Sequence, residues 1–357
     1  MRYAEITGWG KCLPPATVSN VDFTDVMETS DEWIITRTGI KERRASHVEN
    51  SDLAAVAALR ALASAGVDPN DIDMVVNATC SPDRLIPSAG SVVQAKIGAN
   101  NAGAMDVNAA CSGFIYGLSV GSGLIASGTA DKVLVIGVER LTPWLDFEDR
   151  STAVLFGDGA GAVVLESSEE EVGMLSVELG SDGTLGDILT VYGTGSERMP
   201  PEQEVCAIRM DGREVFRRAV AAMGDASVRV VEKAGLELDD IALLIPHQAN
   251  LRIIDATARR LKLDPANVFV NIASYGNTSA ATIPIALTEA LEEGRINPGD
   301  NVVFAAFGGG LTWAASVVRW GRRVESLGTS DAELPPSDMT GIEILKDHHR
   351  YRGQPIE

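Results

Sequence analysis

The chain has 357 residues, 45% of them apolar, with 30 Lys and Arg against 50 Asp and Glu and a formal net charge of −20. That length exceeds one ordinary domain and suffices for two halves sharing a large core, while the acidic balance opposes nucleic-acid binding, which needs a basic footprint. Every apolar run is interrupted before membrane length, residues 1–10 lack an export pattern, and Cys12, Cys80, Cys111 and Cys206 form no CxxC pair or disulfide framework, so a cytoplasmic chain without a membrane span is expected.

In chain order, Trp33, Arg37 and, further on, Arg150 offer an indole face and guanidinium groups suited to an adenine and its phosphates. Residues 65–76 read as helix end, turn and buried strand. Cys111 follows within Asn108-Ala109-Ala110-Cys111-Ser112-Gly113-Phe114, where small residues give way to the apolar stretch 114–126, so the thiol is predicted at or near a helix N-terminus. Two readings stand for it. Free N–H groups and the helix dipole would draw the thiol from about 8.5 towards neutrality and make a nucleophile; a lone Cys among alanines also reads as a small buried hydrophobe. Phe156-Gly157-Asp158-Gly159-Ala160-Gly161 lacks the Lys and Ser/Thr of a phosphate loop and the dinucleotide spacing, and reads as tight strand-edge packing.

The acidic, irregular stretch 167–183 is the expected joint between halves, and residues 184–213 look like an excursion that could cover a site. His247 ends the strand-like run 241–246 just before Gln248-Ala249-Asn250. Arg252, Arg259, Arg260 and Lys262 then lie on a predicted helix, with Arg217 and Arg218 on another. They read either as a solvated face or as a docking surface for an acidic partner carrying the substrate. Asn277 stands ahead of a second small-residue helix start, Thr278-Ser279-Ala280-Ala281, which makes Cys111, His247 and Asn277 a candidate triad. Phe307-Gly308-Gly309-Gly310-Leu311-Thr312-Trp313 follows a buried strand and reads as an oxyanion donor or as a turn with close packing. Residues 321–357 are polar and weakly periodic, expected to be disordered or to clamp a neighbouring surface. His348-His349 within them is expected to be solvated, and no metal site is predicted.

An internal repeat supplies geometry. Residues 65–76 align with residues 234–245 at an offset of 169 (Gly66 to Gly235), and the same offset carries 131–136 onto 300–305, Asn108 onto Asn277 and Cys111 onto Ala280. Two matches in one register argue for two copies of one unit. Each copy alternates Val/Ile/Leu runs with Ala-rich helical runs, so the expected fold is α/β, a duplicated five-layer α-β-α-β-α body. The expected division is an N-terminal half at 1–170 carrying the Cys, a C-terminal half at 171–320 carrying the His and Asn, and the extension 321–357.

Taken together, Asp31-Glu32-Trp33, 108–114, 156–161, Pro246-His247-Gln248-Ala249-Asn250, Gly276-Asn277-Thr278-Ser279 and 307–313 resemble β-ketoacyl-acyl-carrier-protein synthase III of the thiolase-like superfamily, over roughly residues 1–320. The related elongating enzymes pair the Cys with two histidines; Asn277 in the third position points to the initiating type. The resemblance implies that Cys111 takes the acyl group from an acyl-CoA, with the N–H groups of Cys111 and Gly309 holding the oxyanion. It implies that His247 and Asn277 then bind the thioester carbonyl of malonyl-acyl carrier protein for decarboxylative condensation, with no cofactor. It further implies CoA contacts at Thr29, Trp33, Arg37, Arg150, Gly212, Phe216 and Asn250, carrier contacts at Gln248, Ala249, Asn250, Leu251, Arg252, Arg217 and Arg259, and a homodimer. Ile86 stands where the family often has a bulky aromatic in the primer pocket, so primers longer or more branched than acetyl are expected. The rival readings are an acyltransferase of secondary metabolism with another acceptor and a non-catalytic dimer partner.

Overall fold

Short β-branched runs alternate with Ala-rich segments all along the chain, and in the computed structural model, which describes residues 2–351 except 199, 202 and 204, each becomes a strand or a helix. The first half runs β1 (Tyr3–Cys12), β2 (Thr17–Ser19), α1 (Asp31–Thr38), β3 (Glu42–Arg44), α2 (Asn50–Ala65), β4 (Met74–Ala78), α3 (Ala89–Lys96), β5 (Gly103–Val107), α4 (Gly113–Ala126), β6 (Lys132–Glu139), α5 (Arg150–Ala153) and β7 (Gly159–Ser168). The second runs β8 (Gly173–Ser181), β9 (Leu189–Val191), β10 (Ile208–Met210), α6 (Gly212–Lys233), β11 (Ile241–Pro246), α7 (Leu251–Arg260), α8 (Ile272–Tyr275), α9 (Thr282–Glu292), β12 (Asn301–Gly308), β13 (Thr312–Arg319) and a last helix, α10 (Gly341–Tyr351).

Two mixed sheets, ordered β1-β7-β6-β4-β5 and β11-β12-β13-β8, face each other across α4 and α9; α2 and α3 cover the outside of the first, and α6 that of the second. Five layers result. The central strands are apolar at nearly every position because both faces are covered. Along β12, Val302, Phe304 and Ala306 point to the middle layer with Phe114 and Ile283, while Val303, Ala305 and Phe307 point outward to the layer holding Met223 and Ile254. β6 behaves alike, with Val133 and Val135 inward and Leu134 and Ile136 against Leu53 and Ala57 of α2.

The offset of 169 recurs in detail. The single turns Pro69–Asp71 and Leu238–Asp240 correspond, as do Ala110–Ser112 and Ser279–Ala281, each leading straight into a central helix, α4 and α9. Even the left-handed backbone repeats, with φ of 45° at Ala110 and 49° at Ser279.

The joint departs from expectation, and the extension follows the second of its two readings. Residues 167–183, read as an irregular joint, are mostly β7 and β8 with a short turn between, because β8 pairs along β13 at the edge of the second sheet. The extension does not stay in solvent as far as it is described. Arg323 donates to Thr7 O and Ala65 O, His47 contacts Pro335 O, and α10 buries Ile344 and Leu345. His348 and His349, expected to be solvated, are 6% and 4% exposed. His348 lies 2.9 Å from Arg140 Nη2 and 3.1 Å from Thr142 Oγ1, and His349 stacks on Phe147 at 4.3 Å. The extension therefore clamps the first half. Residues 352–357 lie outside the described residues.

Candidate active site

Cys111 sits on the turn Ala110–Ser112 beyond the carboxyl end of β5, at the head of α4. The left-handed backbone at Ala110 costs about 1–2 kcal/mol, and the Ala110 N–H donates to Asn108 Oδ1 at 3.3 Å. The hairpin after β12 closes the other side. A Cβ at Gly308 would stand 2.6 Å from the Cys111 amide nitrogen, so only glycine lets that backbone lie against the thiol-bearing turn. Thr312 Oγ1 fastens the two by donating to Ala109 O at 2.8 Å. The two oxyanion candidates, Cys111 and Gly309, are thereby on adjoining stretches of backbone.

The second half delivers the partners. Gly137 of β6 has no side chain to block Ala280, whose oxygen would lie 2.3 Å from a Cβ there, so the turn 279–281 packs directly on the first sheet. Asn277 is gripped by the 155–157 segment: its N–H donates to Leu155 O at 2.9 Å and its carbonyl accepts from Gly157 N at 3.1 Å. Its Oδ1 accepts from Ser279 N at 2.8 Å, which leaves the Nδ2 amino group to serve a ligand. His247 follows β11, its N–H donating to Ala305 O at 2.8 Å. Its Nδ1 lies 2.7 Å from Thr282 Oγ1, and its Nε2 is buried with no hydrogen-bond partner among the described residues. Cys111, His247 and Asn277 line one cavity of about 90 Å³.

Burial sets the resting protonation. It pushes His247 down to about 3, so the imidazole is neutral. It pushes the Cys111 thiol up to about 12; the Ser279 hydroxyl favours the thiolate, the Glu139 carboxylate opposes it, and the Cys111 amide favours it. The expected fall towards neutrality is therefore absent from the free protein: the helix N-terminus is in place, but loss of water outweighs it. With a neutral thiol and a neutral imidazole on one cavity, the thiol proton has to leave as the new bond forms.

The His247 shift has a consequence for stability. Unfolding returns the imidazole to its ordinary 6.5, so between about pH 3 and 6.5 the unfolded chain binds the extra proton. The contribution is complete above 6.5 and is lost as pH falls towards 3, at about 1.4 kcal/mol per pH unit. In urea titrations at pH 6 and pH 5 the wild type is expected to lose about 1 kcal/mol more than His247→Asn. Equal losses would contradict the neutral, buried assignment.

At the cavity mouth, Gly212, Phe216, Ala249 and Asn250 line the walls. Leu189 of β9 and Met210 of β10 also line it, so the excursion 184–213 does cover the site. Trp33 lies between two cations, with Arg37 Cζ 4.5 Å and Arg150 Cζ 4.9 Å from its ring. Neither forms an ion pair among the described residues. Thr29, just before α1, has a buried Oγ1 without a hydrogen-bond partner among the described residues. Asn250 caps α7 by accepting from Arg252 N and ties it to α1 by donating to Arg37 O, both at 2.9 Å. Arg252 stacks on Phe216 at 5.1 Å. Beside it a shallow hollow of about 430 Å³ is lined by Phe216, Val220, Arg252 and Arg259, among others. Arg252 and Arg259 are exposed without ion pairs among the described residues, whereas Arg217 pairs with Glu214 at 2.7 Å. Leu251 is half-buried against Gly39.

One expectation fails. Gln248 is 1% exposed and fully committed internally, donating to Pro246 O and Phe269 O and accepting from Asn271 N, so it is out of a carrier's reach. Ile86 is 82% exposed and lies outside the cavity of its own chain, on the turn into α3. Three residues escaped sequence reasoning: Ser279, Thr282 and the fully buried Glu139, which accepts from Ser81 Oγ, Thr79 Oγ1, Cys80 N and Ser279 Oγ. Ser279 and Thr282 were within sight, since they flank the helix start after Asn277. Glu139 ends an apolar strand, where a carboxylate normally meets solvent.

A family model described as 3-oxoacyl-[acyl-carrier-protein] synthase III matches residues 105–183, and one for the C terminal of the same enzyme matches residues 231–320. A β-ketoacyl-[acyl-carrier-protein] synthase III 2 of Vibrio vulnificus is 53% identical over 345 residues, 96% of this chain and 95% of its own, so the match takes in part of the extension. The β-ketoacyl-[acyl-carrier-protein] synthase III of Roseiflexus sp. is 50% identical over 325 residues, 89% of this chain and 98% of its own. The solved structure of the synthase III from Thermus thermophilus is similar with a TM-score of 0.85 at 45% identity, covering 89% of this chain and 100% of that one.

Proposed function

The chain belongs to the 3-oxoacyl-[acyl-carrier-protein] synthase III family, and from that premise we propose how its residues divide the work of joining an acyl-CoA to malonyl-acyl carrier protein, the condensation that initiates fatty acid synthesis. The convergence of Cys111, His247 and Asn277 on one buried cavity carries the reading. Cys111 attacks the acyl-CoA carbonyl while His247 Nε2 takes the thiol proton, and the amides of Cys111 and Gly309 hold the oxyanion. The tetrahedral adduct collapses, and the CoA sulfur leaves with that proton.

Malonyl-carrier then enters with its thioester carbonyl against Asn277 Nδ2 and His247. The bond to the carboxylate breaks, carbon dioxide departs, and the electron pair collects as an enolate whose carbon attacks the acyl-Cys111 carbonyl. Cys111 is expelled and regains a proton from solvent. Loss of carbon dioxide drives the condensation, so the reading assigns no cofactor. Trp33, Arg37, Arg150 and Thr29 would hold the nucleotide end of CoA, with Gly212, Phe216 and Asn250 flanking its pantetheine arm.

The same reading makes the protein a cytoplasmic homodimer. β5 is the open end of the first sheet, and Asp106 on it caps α3 by accepting from Ala89 N and Gly90 N. That contact sets Leu85 and Ile86, 80% and 82% exposed, beside the open edge. A second copy pairing along β5 would cover both, and Ile86 would then face the partner's pocket rather than its own.

Arg252 and Arg259 are the carrier's contacts that remain exposed. The double variant Arg252→Glu, Arg259→Glu is expected to raise KM for malonyl-carrier at least about tenfold by reversing two charges opposite an acidic partner, while Cys111 acylation by acyl-CoA stays within about twofold. Unchanged KM would remove this face from the docking surface.

A further inference from the structure

The three residues read as holding the nucleotide end of CoA come from two separate segments. Trp33 and Arg37 share α1, whereas Arg150 opens α5 at the end of an arm, residues 140–149, with the single turn Thr142–Trp144 in it. Arg150 Nη1 donates to Glu28 O at 2.7 Å, and its guanidinium stands 4.9 Å from the Trp33 ring. Irregular backbone carrying a long side chain keeps one geometry only where something packs against it.

The extension supplies that packing. A Cβ at Gly341 would stand 2.3 Å from Thr17 O, so α10 starts directly on the backbone of β2. Ile344 and Leu345 then enter the apolar cluster that holds Phe23, Ile34, Leu141 and Leu145. His348 bridges Arg140 Nη2 and Thr142 Oγ1 at 2.9 and 3.1 Å, and the same Thr142 hydroxyl donates to the buried Asp158 at 2.6 Å. His349 stacks on Phe147 at 4.3 Å, and Phe147 meets Phe23 edge-on at 6.2 Å. Phe23 lies in the turn Asp22–Asp25 that leads towards α1. A run of three rings, His349, Phe147 and Phe23, therefore crosses from α10 through the Arg150 arm to the Trp33 segment. On its other side the arm is tied to the cover of the site, since Asp146 pairs with Arg209 of β10.

We propose that α10 is a positioning element for acyl-CoA, setting the 140–149 arm so that Arg150 meets Trp33 where the nucleotide binds. This rests on the reading of Trp33, Arg37 and Arg150 as the nucleotide platform. Neither His348 nor His349 lines the cavity beside Cys111, so α10 acts on the part of the substrate that does not react. Its loss weakens binding and leaves the chemical step alone. A thioester that ends at pantetheine, with no nucleotide, is blind to it.

Three substitutions in the full chain test this. His349→Ala removes the ring over Phe147, His349→Phe keeps one there, and Gly341→Val lifts the helix from β2. Acylation of Cys111 is followed by intact mass with acyl-CoA and, separately, with the same acyl group on pantetheine. The acyl-CoA concentration for half-maximal acylation is expected to rise about tenfold in Gly341→Val and about threefold in His349→Ala, the worth of a displaced cation over an indole. The maximal rate, and acylation by the pantetheine thioester, should stay within about twofold of wild type. His349→Phe should restore the wild-type value.

Equal weakening with both thioesters would mean that α10 only supports the fold, and would overturn the proposal. Should Gly341→Val fail to fold, the His349 pair decides. A wild-type preference for acyl-CoA that every variant keeps would overturn the proposal alone. A wild type that takes the pantetheine thioester as readily as acyl-CoA would overturn the platform reading, and the proposal with it.

Discussion

Cys111→Ala is expected to gain no acyl mass from any acyl-CoA and to lose condensation by at least about 10⁴-fold, since removing a covalent nucleophile removes the path and not just a contact. The fold should survive. Cys111 is 7% exposed at the edge of a cavity, and trimming one sulfur there costs about 1 kcal/mol. Asn277 is held by backbone atoms of Leu155, Gly157 and Ser279, which loss of the thiol leaves in place. The variant should therefore still decarboxylate malonyl-carrier slowly, releasing carbon dioxide without making a carbon–carbon bond. Mass spectrometry of the protein and of the carrier distinguishes these outcomes. An acyl adduct on Cys111→Ala would place the nucleophile elsewhere, with Cys80 the nearest candidate by its contact with Glu139.

The second large effect is on stability. Glu139 is 0% exposed and receives hydrogen bonds from two hydroxyls of the 79–81 segment, from the Cys80 amide and from Ser279 of the other half. Burial raises its carboxyl and these donors counter the rise, so the group is costly to bury and costlier to remove. Glu139→Ala would orphan five donors at once, the Cys80 thiol included. At about 1–3 kcal/mol each, offset by relief of the carboxylate's own desolvation, a net loss of about 3–5 kcal/mol is expected, visible as a lower urea midpoint. The same change removes a charge that opposes the Cys111 thiolate, so alkylation of Cys111 by iodoacetamide at a fixed pH should quicken in whatever fraction stays folded. A midpoint unchanged from wild type would mean that Glu139 does not join the halves.

Much of this was legible in the chain itself. The burial of β6 and β12 on both faces follows from their continuous apolar runs, and the two matches at one offset announced paired helix starts, which is what sets Cys111 and Asn277 facing one cavity. Local motifs singled out Cys111, His247 and Asn277 because each stands where a strand or loop yields to a helix. What was not legible depends on distant partners. The protonation of Cys111 is decided by burial and by Glu139, 28 positions later (111 to 139), and neither follows from a helix N-terminus. Gln248 looks as available as Asn250 in sequence, yet carbonyls of residues 246 and 269 consume it. His348-His349 look solvated in a polar tail, yet they are drawn in by Thr142, Arg140 and Phe147. Ile344-Leu345 within the polar extension, like Val324 and Leu334, was a signal that it docks.

The central claim is that one thiol accepts the primer and then surrenders it to a malonyl-derived carbon. The most direct test isolates acylated wild type away from acyl-CoA and chases it with malonyl-carrier in a single turnover. The acyl mass should leave Cys111 at the rate at which β-ketoacyl-carrier and carbon dioxide appear, one for one. An acyl group that stays on the protein, or leaves it without the carrier gaining the condensed product, would contradict the account.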